Sequence, residues 1–182
     1  MDLETLIEQC IKGSKKAEAK LYQQFAPMLF GISMRYSRNR ADAEDVLQEA
    51  FVRIFNNLNQ YTKGKSFEGW MKRIVVNTSI TYYNKGQKHA YHKDIQDDAI
   101  QVSGGSSFDN KYTRDELLQV INELADGYRA VFNMYCVEGY KHKEIAEMLS
   151  IDENTSKSQL SRAKKMIQKK LASLDRIAIN RQ

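Results

Sequence analysis

Hydrophobic and polar positions recur at helical spacing along most of the chain. Apolar side chains return every three or four residues, which places them on one face of a helix with about 3.6 residues per turn. The pattern predicts helices over residues 3–12, 15–37, 40–58 and 67–85, and again from residue 113. Pro27 is the only proline, and we expect it to kink the second helix or to mark a boundary. We find no sustained alternation that would predict a strand, so the predicted fold class is all-α.

The helical pattern weakens in the middle of the chain. Periodicity fades between residues 86 and 110, and residues 103–107 are Ser-Gly-Gly-Ser-Ser, the composition of a flexible linker. A chain of 182 residues has the length for two small domains. We therefore predict one helical domain at residues 10–88, a linker at residues 89–112, and a second helical domain at residues 113–175.

The last forty residues have the pattern of a helix-turn-helix. A short helix is predicted at Lys143–Leu149, a tight turn at Ser150–Asp152 with Asp152 as N-cap, and a long basic helix from Glu153. The side suited to packing holds Ser156, Leu160, Ala163, Ile167 and Leu171. The opposite side holds Ser158, Ser161, Arg162, Lys165 and Lys169. A helix with one apolar and one basic, polar face fits the DNA major groove.

Charge is distributed unevenly along the chain. Residues 61–93 carry seven basic residues and one acidic residue, for a net charge of +6. Residues 94–140 carry three basic and nine acidic residues, a net charge of −6, and residues 141–182 carry ten and five, a net charge of +5. Because neutralisation of phosphates drives affinity for nucleic acid, two separated basic zones predict two contacts along a nucleic acid.

Composition also bounds the compartment. No segment is apolar over the length of a membrane span, and the first residues lack the hydrophobic stretch of a signal peptide. Cys10 and Cys136 lie in stretches of helical spacing, and we expect both to be buried free thiols. These features predict a cytoplasmic protein.

The predicted helix over residues 40–58 has two unlike faces. Its packing stripe holds Leu47, Phe51, Ile54 and Leu58. The opposite face holds Asp42, Asp45, Gln48, Glu49, Val52 and Asn56. Because no lysine or arginine interrupts residues 41–52, we expect this acidic face to have no local partner. It suits a solvated surface, a partner protein's basic surface, or a divalent metal bound by Asp42, Asp45 and Glu49.

Residues 61–93 interleave aromatic and basic side chains. Aromatic faces stack on unpaired bases while lysine and arginine follow the backbone, the chemistry that holds a single strand. The aromatic members are Tyr61, Phe67, Trp70, Tyr82, Tyr83 and Tyr91, and the basic members are Lys63, Lys65, Lys72, Arg73, Lys85, Lys88 and Lys93. Phe67, Trp70 and Ile74 also fit a hydrophobic core, and for Trp70 the two roles are compatible.

Three motifs in sequence order carry a resemblance to a known family. The motifs are the acidic helix Asp42–Phe55, the aromatic segment Phe67–Thr78, and the helix-turn-helix formed by Lys143–Leu149 and Thr155–Ala163. Together they resemble the extracytoplasmic-function group of bacterial sigma-70 factors, over about residues 10–175. The resemblance implies a sigma factor that binds core RNA polymerase and directs it to promoters, with no catalytic site, cofactor, metal or small-molecule substrate of its own.

The resemblance also implies a role for each motif. The residues that would bind core polymerase at its beta-prime clamp are Asp42, Asp45, Gln48, Glu49, Phe51, Val52 and Phe55. Those that would open the −10 element and hold the melted non-template strand are Tyr61, Lys63, Lys65, Phe67, Trp70, Arg73, Asn77, Tyr82 and Lys85. Those that would bind the duplex −35 element are Thr155, Lys157, Ser158, Gln159, Ser161, Arg162 and Lys165. Further implied contacts are the beta flap of polymerase, which completes the polymerase interface, and an anti-sigma factor. The linker is implied to thread toward the active-site and RNA-exit channels.

The long basic helix departs from the family pattern. Ser156 stands where an apolar residue is usual, and a buried hydroxyl without a partner costs about 1–3 kcal/mol. Gln159 and Ser161 stand where many relatives carry arginine or an aromatic residue, so we expect promoter choice to be encoded around these positions.

Two alternative functions fit parts of the sequence. One is a stand-alone helix-turn-helix regulator, which leaves the first two motifs unexplained. The other is a metal-dependent nucleic-acid enzyme using the carboxylates of residues 42–49.

Overall fold

Residues 2–88 and 112–179 are described by the computed structural model of the chain. These residues are helical, with no strand in the described ranges, and the predicted all-α class is confirmed. The chain divides into two compact units, Met1–Lys85 and Gly86–Gln182. The predicted linker lies outside the described residues except for Tyr112. None of the helices in the described ranges combines the length and the apolar character that a bilayer span requires.

The first unit is built from four α-helices and one short 3-10 turn. They are α1 (Leu3–Ile11), α2 (Lys15–Tyr36), α3 (Arg40–Asn56), the 3-10 turn (Leu58–Gln60) and α4 (Phe67–Lys88). Side-chain oxygens cap their starts: Asp2 accepts from the amide of Thr5 at 2.8 Å, and Asn39 accepts from the amide of Asp42 at 2.9 Å. Such caps satisfy amides that a helix leaves unpaired in its first turn, and they explain why each helix begins where it does.

The core of the first unit lies where α2, α3 and α4 bury their apolar stripes. The predicted packing stripe of α3, which holds Leu47, Phe51, Ile54 and Leu58, is buried throughout. In the predicted stripe of α2, Leu21, Leu29 and Ile32 are buried while Phe25 and Met28 are half-buried. α2 continues through Pro27, which is exposed, so Pro27 does not mark a boundary. The predicted third helix ends at Asn56 rather than residue 58, because the 3-10 turn follows it.

The second unit is also helical. Its elements are α5 (Arg114–Asn122), α6 (Asp126–Phe132), a π-helical turn (Asn133–Val137), α7 (His142–Leu149) and α8 (Glu153–Ile179). α6 and α7 both pack on α8. The buried centre between α5 and α8 consists of Val120, Leu124, Ala163, Ile167 and Leu171. The four apolar residues of the predicted packing side of α8 are therefore all core residues.

The π-helical turn overturns two expectations on side-chain placement. Simple helical spacing predicts that Tyr135 packs inward with Val131, and that Cys136 is buried. Val131 is buried, but Tyr135 and Cys136 are exposed. A π-turn bonds each amide to the carbonyl five residues earlier, as Glu138 does to Asn133 at 3.0 Å. Met134, three residues after Val131, is buried on that face instead. Cys10 is buried as expected.

A buried arginine ties α5 to α6. The Arg129 side chain is 4% exposed. Its guanidinium donates to the carbonyl of Asn122 at 3.1 Å and to the Asp126 carboxylate at 2.9 Å. Breaking one side of a buried pair leaves an uncompensated charge, which costs about 3–5 kcal/mol. The loop between α5 and α6 is therefore fixed by polar contacts as well as by the apolar core.

We predict that Arg129→Ala destabilises the second unit by about 3–5 kcal/mol. Chemical denaturation of the full chain measures this, because the single tryptophan, Trp70, lies in the first unit. Circular dichroism should show an earlier transition for part of the helical signal, while Trp70 fluorescence keeps its midpoint. Arg40→Ala, which removes an exposed i,i+4 pair, is the matched control. A loss below about 1 kcal/mol, the size of an exposed pair, would contradict the prediction.

Candidate nucleic-acid and polymerase interfaces

The helix-turn-helix consists of α7, a tight turn and α8. α7 ends at Ser150, whose φ of 55° and ψ of 45° lie in the left-handed region. The chain then reverses, and Asp152 accepts from the amide of Asn154 at 2.7 Å, so the predicted N-cap is confirmed. The start of α7 has no side-chain cap from Lys141, but Glu144 accepts from the Lys141 amide at 2.8 Å. At the turn itself, the Ile151 amide donates to the carbonyl of Ala146 at 3.0 Å, so local hydrogen bonds fix the end of α7 as well as the start of α8.

The two predicted faces of α8 are present in the structure. Every residue of its packing side, from Ser156 to Leu171, is buried. On the opposite side Ser158 and Lys169 are exposed, and Ser161, Arg162 and Lys165 are half-buried. This leaves a polar and basic surface of the kind that contacts base edges and phosphates.

The residues predicted for the −35 element do not all present their side chains equally. Lys157 is exposed and pairs with Glu153 at 2.7 Å, so a phosphate would have to displace that carboxylate. Thr155 is half-buried, and its carbonyl accepts from the Ser158 hydroxyl at 3.0 Å. The carboxamide oxygen of Gln159 is buried and has no hydrogen-bond partner among the described residues. Lys157 and Ser158 are therefore the more accessible members of this set.

The buried hydroxyl of Ser156 has a partner that sequence reasoning missed. Its oxygen lies 2.9 Å from Nδ1 of His142, the first residue of α7. Ser156 is fully buried, and His142 is half-buried. Burial lowers the pKa of His142 first, the charge of Lys157 lowers it further, Glu153 raises it, and Lys164 lowers it. A neutral imidazole is therefore favoured at this hydrogen bond. The signal was present in the sequence as a serine on an apolar face, but its partner was not.

The aromatic residues of the second motif form one cluster at the start of α4. Phe67 is 3% exposed and lies at its centre. The ring centroid of Phe67 lies 4.9 Å from that of Tyr61, 5.6 Å from that of Trp70 and 5.8 Å from that of Phe25. Trp70 is half-buried, so it combines a core role with an accessible surface, as the sequence suggested. Phe67 supports this cluster from within rather than offering a free face.

The loop at residues 61–66 is held closed on itself and on α1. The Tyr61 hydroxyl donates to the carbonyl of Lys65 at 2.5 Å, and Gly64 takes a φ of 83°, which favours glycine. Lys63 pairs with Glu8 of α1 at 2.6 Å, although both side chains are half or more exposed. This hydrogen bond and charge lower the pKa of Glu8 and raise that of Lys63. The loop is thus ordered, and its central lysine has an internal partner.

Further predicted −10 residues line the outer side of α4. Arg73 and Asn77 are exposed, and with Trp70 they follow one another at helical spacing. Tyr82 is also exposed, and its hydroxyl donates to the Asp42 carboxylate of α3 at 3.3 Å. Its pKa is raised by partial burial first and then by the charge of Asp42. Tyr82 therefore joins the second motif to the acidic helix. The side chain of Lys85 lies outside the described residues.

The acidic face of α3 has local partners, contrary to expectation. Arg40 pairs with Glu44 at 2.8 Å, and Arg53 pairs with Glu49 at 2.9 Å. The arginines lie just outside residues 41–52, but four residues along a helix brings side chains together. Asp45 makes no ion pair in the described part of the chain, and its side chain is exposed. This expectation failed because it considered the run of sequence rather than the helix surface.

The remaining residues predicted to bind polymerase differ in exposure. Gln48 and Val52 are exposed, and Val52 is among the most exposed large apolar side chains described, at 54%. Phe51 is buried, with its ring centroid 4.5 Å from that of Tyr22. Phe55 is half-buried beside it. Phe51 therefore supports this face from beneath, while Val52 lies on its surface.

A groove borders the acidic face between α2 and α3. It has a volume of about 470 Å³. Its apolar floor and polar rim come from both helices, and its lining residues are Tyr22, Gln23, Ala26, Pro27, Phe30, Arg40, Glu44, Leu47 and Gln48. Such a groove, with an exposed tyrosine at its edge, resembles the apolar grooves that accept a partner's helix.

The described residues include no group of three or more His, Cys, Asp or Glu side chains arranged to hold a metal ion. The carboxylates of Asp42 and Glu49 are instead engaged by Asn39 and Arg53. These carboxylates therefore make local hydrogen bonds and ion pairs along α3.

Comparisons with known proteins match both units. Residues 21–89 match the family described as Sigma-70 region 2, and residues 114–167 match the family described as Sigma-70, region 4. The chain is 27% identical to the ECF RNA polymerase sigma-E factor of Haemophilus influenzae, over 94% of this chain and 96% of that protein. It is 26% identical to the ECF RNA polymerase sigma factor SigW of Bacillus subtilis, over 96% and 99%.

A solved structure shares the fold. It is the sigma factor RpoE in complex with the anti-sigma factor NepR from Bartonella quintana, with a TM-score of 0.50 and 19% sequence identity. The match covers 85% of this chain and 96% of that chain. The similarity therefore extends over both helical units.

We predict that Lys63→Gln returns the pKa of Glu8 toward its ordinary value. The hydrogen bond and the charge of Lys63 are the two largest causes that hold this pKa low. Carbon-13 NMR of side-chain carboxyls, followed through an acid titration of the full chain, measures it. Lys65→Gln removes the same charge from the same loop and should leave the Glu8 titration in place. An unchanged Glu8 pKa in Lys63→Gln would show that the pair does not form in solution.

Proposed function

This chain belongs to the extracytoplasmic-function group of the sigma-70 factor family, and from that premise we propose how its surfaces divide the work of promoter recognition. As a sigma factor it directs transcription initiation, binding core RNA polymerase and promoter DNA. The single observation that carries the assignment is the match of both units, in order, to sigma-70 regions 2 and 4. The role proposed for each surface rests on the exposure, charge and contacts of its own side chains.

The surface formed by Asp45, Gln48, Val52 and the adjoining α2–α3 groove is proposed to bind the polymerase clamp. It combines an exposed apolar side chain with an acidic residue that makes no ion pair within the described ranges. Interfaces place apolar anchors inside a polar rim, and complementary charge speeds and orients docking. Glu49 belongs to the rim, where Arg53 holds it in the free chain. Phe51 and Phe55 contribute by supporting this surface.

The loop at residues 61–66 and the outer side of α4 are proposed to hold the melted non-template strand of the −10 element. Trp70 offers an accessible aromatic surface, and Arg73 and Asn77 continue along the same side of the helix. Base stacking contributes about 1–3 kcal/mol for each base on an aromatic ring. Lys63 would pass from Glu8 to a phosphate, exchanging one exposed ion pair for another.

The outward side of α8 is proposed to bind the −35 element as a duplex. Its accessible polar residues, Lys157, Ser158 and Arg162, can contact phosphates and base edges. The beta flap is proposed as a second polymerase contact, and an anti-sigma factor as an inhibitory partner, in keeping with the complex of the Bartonella quintana sigma factor RpoE with NepR. Sigma factors are initiation factors, and we propose that core polymerase supplies all of the catalysis.

Reconstitution tests the proposed function directly. The purified chain is mixed with core polymerase, and transcripts initiated on genomic DNA are mapped at their starts. We expect starts that depend on this chain and share two upstream elements. Failure to bind core polymerase, together with tight binding of the free chain to a palindromic duplex, would support the stand-alone regulator instead.

We predict that Asp45→Lys weakens binding to core polymerase by about tenfold or more, because like charges facing each other across an interface cost several kcal/mol. Fluorescence anisotropy of the labelled full chain, titrated with core polymerase, measures the change. Glu18→Lys makes the same charge reversal on α2, where Glu18 pairs with Lys15, and should retain affinity. Circular dichroism checks that both variants keep their helices. Equal losses in the two variants would indicate a general effect of charge and would count against this surface.

We predict that Glu8→Gln tightens binding of the holoenzyme to a single-stranded non-template oligonucleotide by about two- to threefold, the range of one exposed ion pair. The substitution releases Lys63 from its internal partner before the strand arrives. Binding is measured at several salt concentrations, since a freed lysine adds to the counterions released. Glu4→Gln removes the same charge from the same helix without removing this ion pair. A gain of affinity in both variants, or in neither, would contradict the proposed contact between Lys63 and the strand.

A further inference from the structure

We propose that His142 and Ser156 are positioning residues for promoter recognition: their hydrogen bond fixes how α8 lies against α7 and therefore which side chains meet the −35 element. This inference rests on the proposed reading of that element by α8. It does not require either residue to touch DNA. Ser156 is the one polar member of the predicted packing side of α8, and apolar packing alone does not account for a serine at that position.

Ser156 is fully buried among apolar neighbours, and the other members of its side of α8 are Leu160, Ala163, Ile167 and Leu171. A hydroxyl in that setting needs a hydrogen bond, since leaving it unmade is costly. Its partner is Nδ1 of His142, at 2.9 Å. The bond is directional, whereas the apolar contacts beside it tolerate small rotations.

The imidazole of His142 is itself held in place. It belongs to the first residue of α7 and stacks on Tyr135, with ring centroids 4.5 Å apart and an angle of 22° between planes. The other neighbour of the Tyr135 ring is Lys164 of α8, whose ammonium lies 5.9 Å from the ring centroid. The π-helical turn, α7 and α8 therefore meet around one ring. Tyr135 lies in the π-turn and is exposed, and His142 stacks on its ring.

The position of the bond along α8 gives it leverage. Ser156 directly precedes Lys157 and Ser158, the more accessible members of the predicted −35 set. Successive residues are about 100° apart around a helix, and Lys157 and Ser158 turn with Ser156. A small rotation of α8 at Ser156 therefore moves both side chains relative to the DNA groove. The apolar core near Ile167 and Leu171 fixes the far half of α8, and the hydrogen bond joins the near half to α7.

The test measures initiation by holoenzymes on two templates. One is a promoter fragment taken from the mapped transcripts, and the other is the same fragment with its upstream element scrambled. Ser156→Ala and His142→Leu should each lower initiation on the intact template by about fivefold, the size of a weakened base contact, with no further loss on the scrambled template. Because both substitutions remove the same hydrogen bond, initiation by the double variant should be no lower than initiation by the less active single variant. His142→Asn keeps a polar side-chain atom near the place of Nδ1 and should recover at least half of the activity.

Ile167→Val is the matched control. It trims a buried side chain on the same side of α8, away from the bond, and should leave the ratio between the two templates unchanged. Circular dichroism confirms that each variant is folded at the assay temperature. Additive losses of initiation in the double variant, or an equal drop for Ile167→Val in the ratio between the two templates, would overturn this inference and leave the proposed function standing. If the unsubstituted holoenzyme does not distinguish the templates, the proposed reading by α8 fails and the inference falls with it.

Discussion

The packed side of α8 is the constraint on which the second unit depends. α6 and α7 both pack against it, so that its inner residues belong to the core and its outer residues form the surface proposed to bind DNA. A helix cannot change one of these faces without turning the other. The Ala163–Leu171 portion is held by apolar area, and the Ser156 portion by a hydrogen bond. Presentation of the outer side chains is thus a consequence of how the inner ones are satisfied.

The first unit applies the same rule to α3 with a different result. The buried stripe of α3 fixes its orientation, and the opposite face is left to charge and to one exposed valine, Val52. One of its carboxylates, Glu49, already pairs with Arg53 four residues away, and the neighbouring Glu44 pairs with Arg40. Those pairs are exposed and contribute little to stability, but they determine which charges a partner meets first. Asp45 is distinguished by its lack of such a pair.

Much of this architecture was predictable, because amphipathic spacing reports directly on which side of a helix is buried. The helices predicted at residues 40–58 and from Glu153, which the structure has at Arg40–Asn56 and Glu153–Ile179, followed from it, as did the Asp152 cap and the buried side of α8. What failed depends on information that spacing lacks. Spacing could not show that residues 133–137 form a π-turn, in which Tyr135 and Cys136 are exposed.

The other failure was in identifying the partners of polar groups. A run without lysine or arginine made the acidic face look unpaired, yet Arg40 and Arg53 lie one turn beyond the carboxylates that they hold. Similarly, the serine in an apolar row predicted a need for a partner but could not name His142, fourteen residues away. Sequence specifies which groups need partners, and tertiary packing specifies which partners they find. The residue-level roles in binding stay predictions.

Two kinds of polar contact at the proposed interfaces have different consequences for binding. Exposed pairs such as Lys63–Glu8 and Lys157–Glu153 hold charges that DNA phosphates can take over, and their exchange is inexpensive because water screens both states. A buried bond such as His142–Ser156 cannot be exchanged in this way, since opening it leaves polar atoms without water. Exposed pairs therefore adjust affinity and salt dependence, whereas the buried bond holds geometry. Contacts that exchange at the surface and a buried bond that does not are therefore complementary parts of the proposed DNA interface.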